Sequence, residues 1–287
     1  MTAGFRVASD ARAALGESPV WRAEDRTVWW VDIEGRRLLC TGEDGATRAW
    51  DAPQAPGFVQ LDEAGRPVVG METGVFDFDE ATGRFSRLAP LAASGMRFND
   101  ACVDAAGRLW AGTMDLDNAR DNGVLYVIGS DGALHVVTEG FRTVNGLAWD
   151  TGRGRLFVSD SHPSAQTIWT LAAPAEGVEV GGVERAEFAR LHDLPGRPDG
   201  AAMDAEGHYW IAGVGGGELC RYAPDGALAQ RLATPVEHPT KPVFTGADLG
   251  VMHLTSKRDD GDGGRLVAWD AAAAGVKGAP AYRWRRG

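Results

Sequence analysis

Four oxygen-bearing side chains, Glu17, Asn99, Asn145 and Asp199, each stand four residues ahead of an apolar residue, Trp21, Val103, Trp149 and Met203 in turn. Three of them, Asn99, Asn145 and Asp199, also lie five residues before an aspartate, at 104, 150 and 204. Two carboxylates and two amides at one recurring phase, flanked by apolar residues, are costly to bury without a partner. A hard divalent cation satisfies them together, because carboxylate, amide carbonyl and water oxygens suit Ca²⁺, Mg²⁺ or Mn²⁺. No His or Cys shares the phase, which argues against a typical zinc site. A local reading, each Asn or Asp closing its own turn through an Asx-type hydrogen bond, accounts for single positions better than for four in register.

Residues so far apart in the chain meet only in a repeating architecture. The segments DEAGRPVVG from Asp62, DAAGRLWAG from Asp104 and DAEGHYWIAG from Asp204 are one pattern, a turn followed by a short apolar run, which predicts a hairpin turn entering a buried strand. Looser copies are WRAEDRTVWWVD from Trp21 and DTGRGRLFVSD from Asp150, and a weaker one is TGADLGVMHLT from Thr245. The aspartates at 62, 104, 150 and 204 are 42, 46 and 54 residues apart, around the roughly 40–50 residues of a propeller blade. A second strand pair follows each run, as in GVFDFDEATGRFSRL, GVLYVIGSDGALHVV and GELCRYAPDGALAQRL. Outside the Ala-rich stretch 271–275 no helical period is sustained.

The expectation is therefore an all-β fold, a six-bladed β-propeller with four-stranded antiparallel blades, forming one domain over 1–287. A β-sandwich with chance similarity is the poorer account, since sandwiches rarely repeat one turn at a blade-like period. In a propeller the innermost strands start at the mouth of the central channel, so the phase shared by Glu17, Asn99, Asn145 and Asp199 becomes a ring. Gly57 holds that place in the second blade. In the sixth the register stays open, with Lys241 the nearest polar candidate.

The 287 residues are 44% hydrophobic and 24% charged, enough for a substantial core. The net charge of −11 comes from scattered acidic residues, which repel phosphate backbones and argue against nucleic acid as a partner. Cys40, Cys102 and Cys220 are odd in number and form no CxxC pair, so they read as buried thiols of a reducing compartment. The N-terminus has no apolar core of signal-peptide length, and no later stretch approaches the ~20 apolar residues of a membrane helix. A cytoplasmic location with no membrane partner is expected, as a monomer or small homo-oligomer.

In the segments around these residues, LGESPVW at Glu17, RFNDACVDAAGRLWAGTMD at Asn99, VNGLAWD at Asn145 and RPDGAAMDAEGHYW at Asp199, the chain resembles the SMP-30/gluconolactonase/regucalcin-like family. The resemblance runs the length of the sequence. It implies a six-bladed propeller and hydrolysis of a sugar-acid lactone, an aldonolactone such as glucono- or xylonolactone, to the free acid. It further implies that Glu17, Asn145 and Asp199 ligate one divalent metal ion while Arg97 and Asn99 face the substrate. Ca²⁺, Mg²⁺, Mn²⁺, Fe²⁺ and Zn²⁺ are all candidates. A metal of this kind polarises a carbonyl and acidifies bound water, Asp199 is the candidate general base, and Arg97 offers a fork of donors that Lys would match less well. The family's loop over the mouth varies, so Asp115, Asp117 and Asn118 receive no role.

Two other readings stand beside this one. A metal-dependent phosphotriesterase or arylesterase would use the same ion, though Arg97, Asn99 and Asn145 suit a polyol better than an apolar ester. A non-catalytic Ca²⁺-binding propeller would show an extended apolar or charged rim, which the sequence lacks. The glycine run after Gly213 imitates a nucleotide loop but precedes strand and turn rather than helix. Asp160, Ser161 and His162 spell a triad on paper, yet adjacent strand residues point to opposite faces. The ten tryptophans fall mostly at strand phases expected for packing between blades.

Overall fold

The computed structural model describes residues 4–172, 183–192 and 194–287. They form six four-stranded antiparallel sheets. The innermost strands are Gly16–Arg22, Phe58–Leu61, Met96–Val103, Val144–Asp150, Arg197–Met203 and Pro239–Thr245. Each packs beside the next and the sixth returns to the first, so the sheets close into the six-bladed β-propeller that the repeats predict. The Ala-rich stretch yields only the short 3-10 helix Ala272–Ala274.

Burial falls from axis to rim. The second strand of the first blade, TVWWVD over Thr27–Asp32, is buried at every position, whereas the outermost strand Leu228–Ala233 alternates between exposed and half-buried residues. Blades adhere through apolar faces: Trp29 and Val31 of the first blade pack with Val59 and Val69 of the second. The Phe157 and Tyr209 rings stack at 4.3 Å between the fourth and fifth. Each such large side chain withdrawn from water contributes roughly 1.5–3 kcal/mol.

The repeat aspartates hold the turns at the far end of the inner strands. Asp104 accepts the backbone amides of Ala106 and Arg108 at 2.9 and 3.0 Å and the Trp110 indole at 2.8 Å. Asp204 does the same for Glu206, His208 and Trp210 at 3.0, 2.9 and 3.0 Å. Two features have no local signature in the sequence. The N-terminal strand Phe5–Val7 supplies the outer strand of the sixth blade, pairing with Val267–Asp270. The C-terminal segment then runs under the channel, where Trp284 is buried and its amide bonds the Leu61 carbonyl at 2.9 Å.

Candidate active site

The inner strands slip register near their upper ends. Two residues fall outside the pairing after Glu17, Asn145, Pro198 and Pro239, and one falls out at Asn99. Such bulges bend a strand and re-aim its side chains, here at the phase that carries the predicted ring. The second blade has no slip. Gly57 stands there because a Cβ would lie 2.0 Å from the Phe98 carbonyl oxygen, so its neighbour's backbone takes the place of a side chain. In the sixth blade Thr245 matches the repeat aspartates, which assigns Thr240 to the ring phase, one residue before Lys241, where the sequence left the register open. Thr240 is spent on structure, donating to the Gly16 carbonyl at 2.6 Å.

Glu17, Asn145 and Asp199 come together with only 8%, 4% and 8% of their surface exposed. The Asn145 amide nitrogen donates to Asp199 Oδ1 and, at 3.0 Å, to Ser161 Oγ. Glu17 Oε2 accepts the Ser18 amide at 2.7 Å and Asn145 Oδ1 accepts the Gly146 amide at 3.2 Å. Local amide capping therefore exists, yet it leaves both carboxylates without a cationic hydrogen-bond partner among the described residues. Both hold their protons more tightly than a free carboxylate does. Burial, then the nearby Asp199 and Asp100 carboxylates, hold Glu17 well above its ordinary range. Burial, then Asp100, push Asp199 up to about 7. Two buried carboxylates that resist ionising, beside an amide oxygen, are a donor set fitted to a hard divalent cation.

Arg97 and Asn99 occupy the same mouth. Arg97 Nη1 donates to Asn99 Oδ1 at 2.7 Å and to the Phe98 carbonyl at 2.9 Å, while the Asn99 amide nitrogen donates to the Val144 carbonyl at 2.9 Å. Asn99 is thereby a brace that orients Arg97, a detail the phase alone does not reveal. Burial lowers the Arg97 pKa to about 10, with Glu17, Asp199 and Glu72 working the other way. The guanidinium stays charged at neutral pH.

One residue below the ring, Lys241 reaches across the axis. Its ammonium bonds Asp100 Oδ1 and, at 3.1 Å, the Ala101 carbonyl, and Asp100 Oδ2 accepts the Leu147 amide at 2.7 Å. The crossing requires Gly200, where a Cβ would meet the Lys241 Cβ at 2.4 Å. Burial works against the ammonium, but Asp100 outweighs it and the Lys241 pKa stands above its usual value. A buried pair is thus the floor of the site. Below it lies a cavity of about 110 Å³, lined mainly by apolar residues such as Val103, Trp149, Met203 and Phe244, on the side of the floor away from the carboxylates.

Most of the other polar side chains near the mouth are engaged by their own neighbours. Asp115 bonds Arg120 at 2.9 Å and the Ala119 amide at 3.1 Å, shaping the loop over the mouth. Asp117 is exposed. Asn118 accepts the Thr143 hydroxyl at 2.8 Å. Asp160 accepts the amides of Arg142, Thr143 and His162, and the His162 ring pairs with Ser164 at 2.7 Å, so no triad forms. Asp204, Glu206 and His208 cluster with metal-ligating atoms, but Arg221 bonds Asp204 at 2.6 Å and Glu206 at 2.7 Å and already supplies the positive charge. No described helix is long and apolar enough to cross a membrane.

A family model described as the SMP-30/Gluconolactonase/LRE-like region matches residues 15–258. The chain is 33% identical over 260 residues to a 6-deoxy-6-sulfogluconolactonase of Pseudomonas putida, covering 90% of this chain and 88% of that one. It is also 33% identical over 276 residues to a pentonolactonase of Haloferax volcanii, covering 92% and 90%. Among solved structures, a calcium-binding protein, regucalcin, from Agrobacterium tumefaciens superposes with a TM-score of 0.88 at 26% identity over 99% of this chain and 98% of that one.

Proposed function

This chain belongs to the SMP-30/gluconolactonase/LRE-like family, and from that premise we propose that it hydrolyses a sugar-acid lactone with one divalent cation held by Glu17, Asn145 and Asp199. The observation that carries the reading is the pair of buried carboxylates, Glu17 and Asp199, that lack a cation of their own. The lactonase names of the relatives supply the reaction class. They favour a lactone over a phosphotriester or aryl ester.

When bound, the cation supplies Lewis-acid polarisation of the lactone carbonyl and a more acidic water. The chain's own residues do the rest. Arg97, held through Nη1 by Asn99 and the Phe98 carbonyl, presents its remaining N–H donors to substrate oxygens. Asp199 Oδ2 accepts no hydrogen bond from the described residues, which leaves it open to take the proton from the attacking water. Water adds to the carbonyl carbon, the ring C–O bond breaks, and Asp199 returns the proton to the departing ring oxygen, giving the hydroxy acid.

The test is to strip the protein with chelator and follow proton release from gluconolactone and xylonolactone as Ca²⁺, Mg²⁺, Mn²⁺, Fe²⁺ and Zn²⁺ are restored in turn. Hydrolysis that returns with metal and is absent in Asp199→Ala supports the reading. Turnover of an aryl or phosphate ester instead would replace it, and binding without any hydrolysis would leave a Ca²⁺-binding propeller.

A further inference from the structure

Two residues upstream of the ring, at the rim of the mouth, the six blades carry Leu15, Ala55, Arg97, Thr143, Arg197 and His238. Only two of these bear a permanent charge, and both are arginines. Arg197 opens the strand that bears Asp199 and is half-buried. Its Nη1 donates to the Ser161 carbonyl at 3.4 Å, and the Ser161 hydroxyl in turn takes the Asn145 amide at 3.0 Å. The guanidinium therefore sits beside the proposed ligand set, close enough for its charge to favour ionised Asp199. Among the described residues no carboxylate pairs with it within ion-pair distance, and its Nε and Nη2 donate to nothing. Elsewhere half-buried arginines at the blade turns are paired: Arg108 with Asp104 at 2.7 Å, Arg155 with Asp150 at 3.0 Å, Arg221 with Asp204 at 2.6 Å.

The charges at the mouth make the consequence concrete. A divalent cation would offset Glu17 and Asp199, and Lys241 offsets Asp100 beneath them. Arg97 and Arg197 remain, with Glu72 the one further carboxylate felt by Arg97. A half-buried guanidinium with no carboxylate partner beside this set, inside a chain of charge −11, is poorly matched to a neutral polyol lactone, whose hydroxyls need no permanent charge. It is matched to a lactone carrying a separate acidic group, since guanidinium grips carboxylate, sulfonate or phosphate oxygens with two parallel donors. We propose that Arg197 is a specificity-determining residue that binds an anionic substituent of the substrate, so that the preferred substrate is an acidic sugar lactone. This rests on the lactonase reading.

The experiment has a kinetic and a binding arm, both on the metal-loaded full chain. Wild type, Arg197→Gln and Arg197→Lys are assayed by proton release on gluconolactone, on a carboxylate-bearing glucarolactone, and on 6-phospho- and 6-sulfo-gluconolactones, which separate the three possible acids. Wild type is expected to favour at least one acidic lactone over gluconolactone. Arg197→Gln loses roughly ten- to a hundredfold in kcat/KM on that lactone, mostly through KM, and only a few-fold on gluconolactone. Arg197→Lys recovers part of the loss. Calorimetry with gluconate, glucarate and 6-phosphogluconate reads the same preference without turnover. If gluconolactone is opened at least as well as every acidic lactone, or Arg197→Gln affects all lactones alike, the proposal is overturned while the lactonase reading stands. If no lactone is opened the lactonase reading fails, and the calorimetry still decides whether Arg197 selects the extra anionic group.

Discussion

The two ends of the channel each carry a set of repeating buried carboxylates, and the sets differ in what serves them. At the lower end Asp104 and Asp204 accept backbone amides, a tryptophan indole and an arginine. At the upper end Glu17 and Asp199 accept one amide donor each and lie near enough for the Asp199 charge to act on Glu17. Both sets recur at blade period and both are almost fully withdrawn from water. Periodicity alone therefore does not separate a structural carboxylate from one reserved for a ligand. The supply of partners does distinguish the two sets, and a buried carboxylate without one is where a bound cation would be most stabilising.

Substitution should separate the two ends most clearly. Asp199→Asn is expected to lower lactone hydrolysis on the order of a thousandfold, the scale of losing one electrostatic contributor to a transition state, and to leave metal-free stability equal or higher because one of two opposed buried charges is gone. Proton-release kinetics and thermal unfolding on the same sample check both halves. The reverse is expected of Asp204→Ala, which orphans the Trp210 indole, two amides and Arg221. It should cost roughly 3 kcal/mol of stability while the folded fraction keeps its activity, as denaturant titration with parallel assays would show. Adding cation at about a hundred times its Kd should stabilise the wild type by about 2.7 kcal/mol and leave Glu17→Gln nearly unmoved in a melting experiment.

The smallest effect is on pH. Asp199 keeps its proton up to about 7 in the folded chain, against an ordinary value of 3.8, and Glu17 is raised as well. Folded-state pKa values above the unfolded ones mean that stability present at low pH is lost as pH rises from about 4 through 7. The metal-free protein should therefore melt lower at pH 8 than at pH 5. Saturating cation should flatten or invert that trend, since ligation needs the deprotonated carboxylates.

Much of this was legible in the chain. The turn motif beginning at Asp62, Asp104 and Asp204, with its looser copy at Asp150, repeats closely enough to count blades, and its phase gathers Glu17, Asn99, Asn145 and Asp199; only the family resemblance singles out Glu17, Asn145 and Asp199 among them. What escaped depended on contacts remote in sequence or on side-chain orientation. Thr240 was missed because the sixth blade's turn lacks the aspartate, leaving Lys241 to attract attention by its charge. The closure of Phe5–Val7 on Val267–Asp270 and the docking of Trp284 under the channel join opposite regions of the chain and leave no local periodicity. The amide of Asn99 turns toward Val144, and no spacing rule announces it.

The most direct test of the account is an ion-binding titration of the chelator-stripped protein by calorimetry, comparing wild type with Glu17→Gln at the upper end and Glu206→Gln at the lower. One tight divalent ion per chain is expected, lost in Glu17→Gln and retained in Glu206→Gln, with lactone hydrolysis following the bound ion. Tight binding that survives Glu17→Gln, or full hydrolysis by the stripped protein, would contradict it.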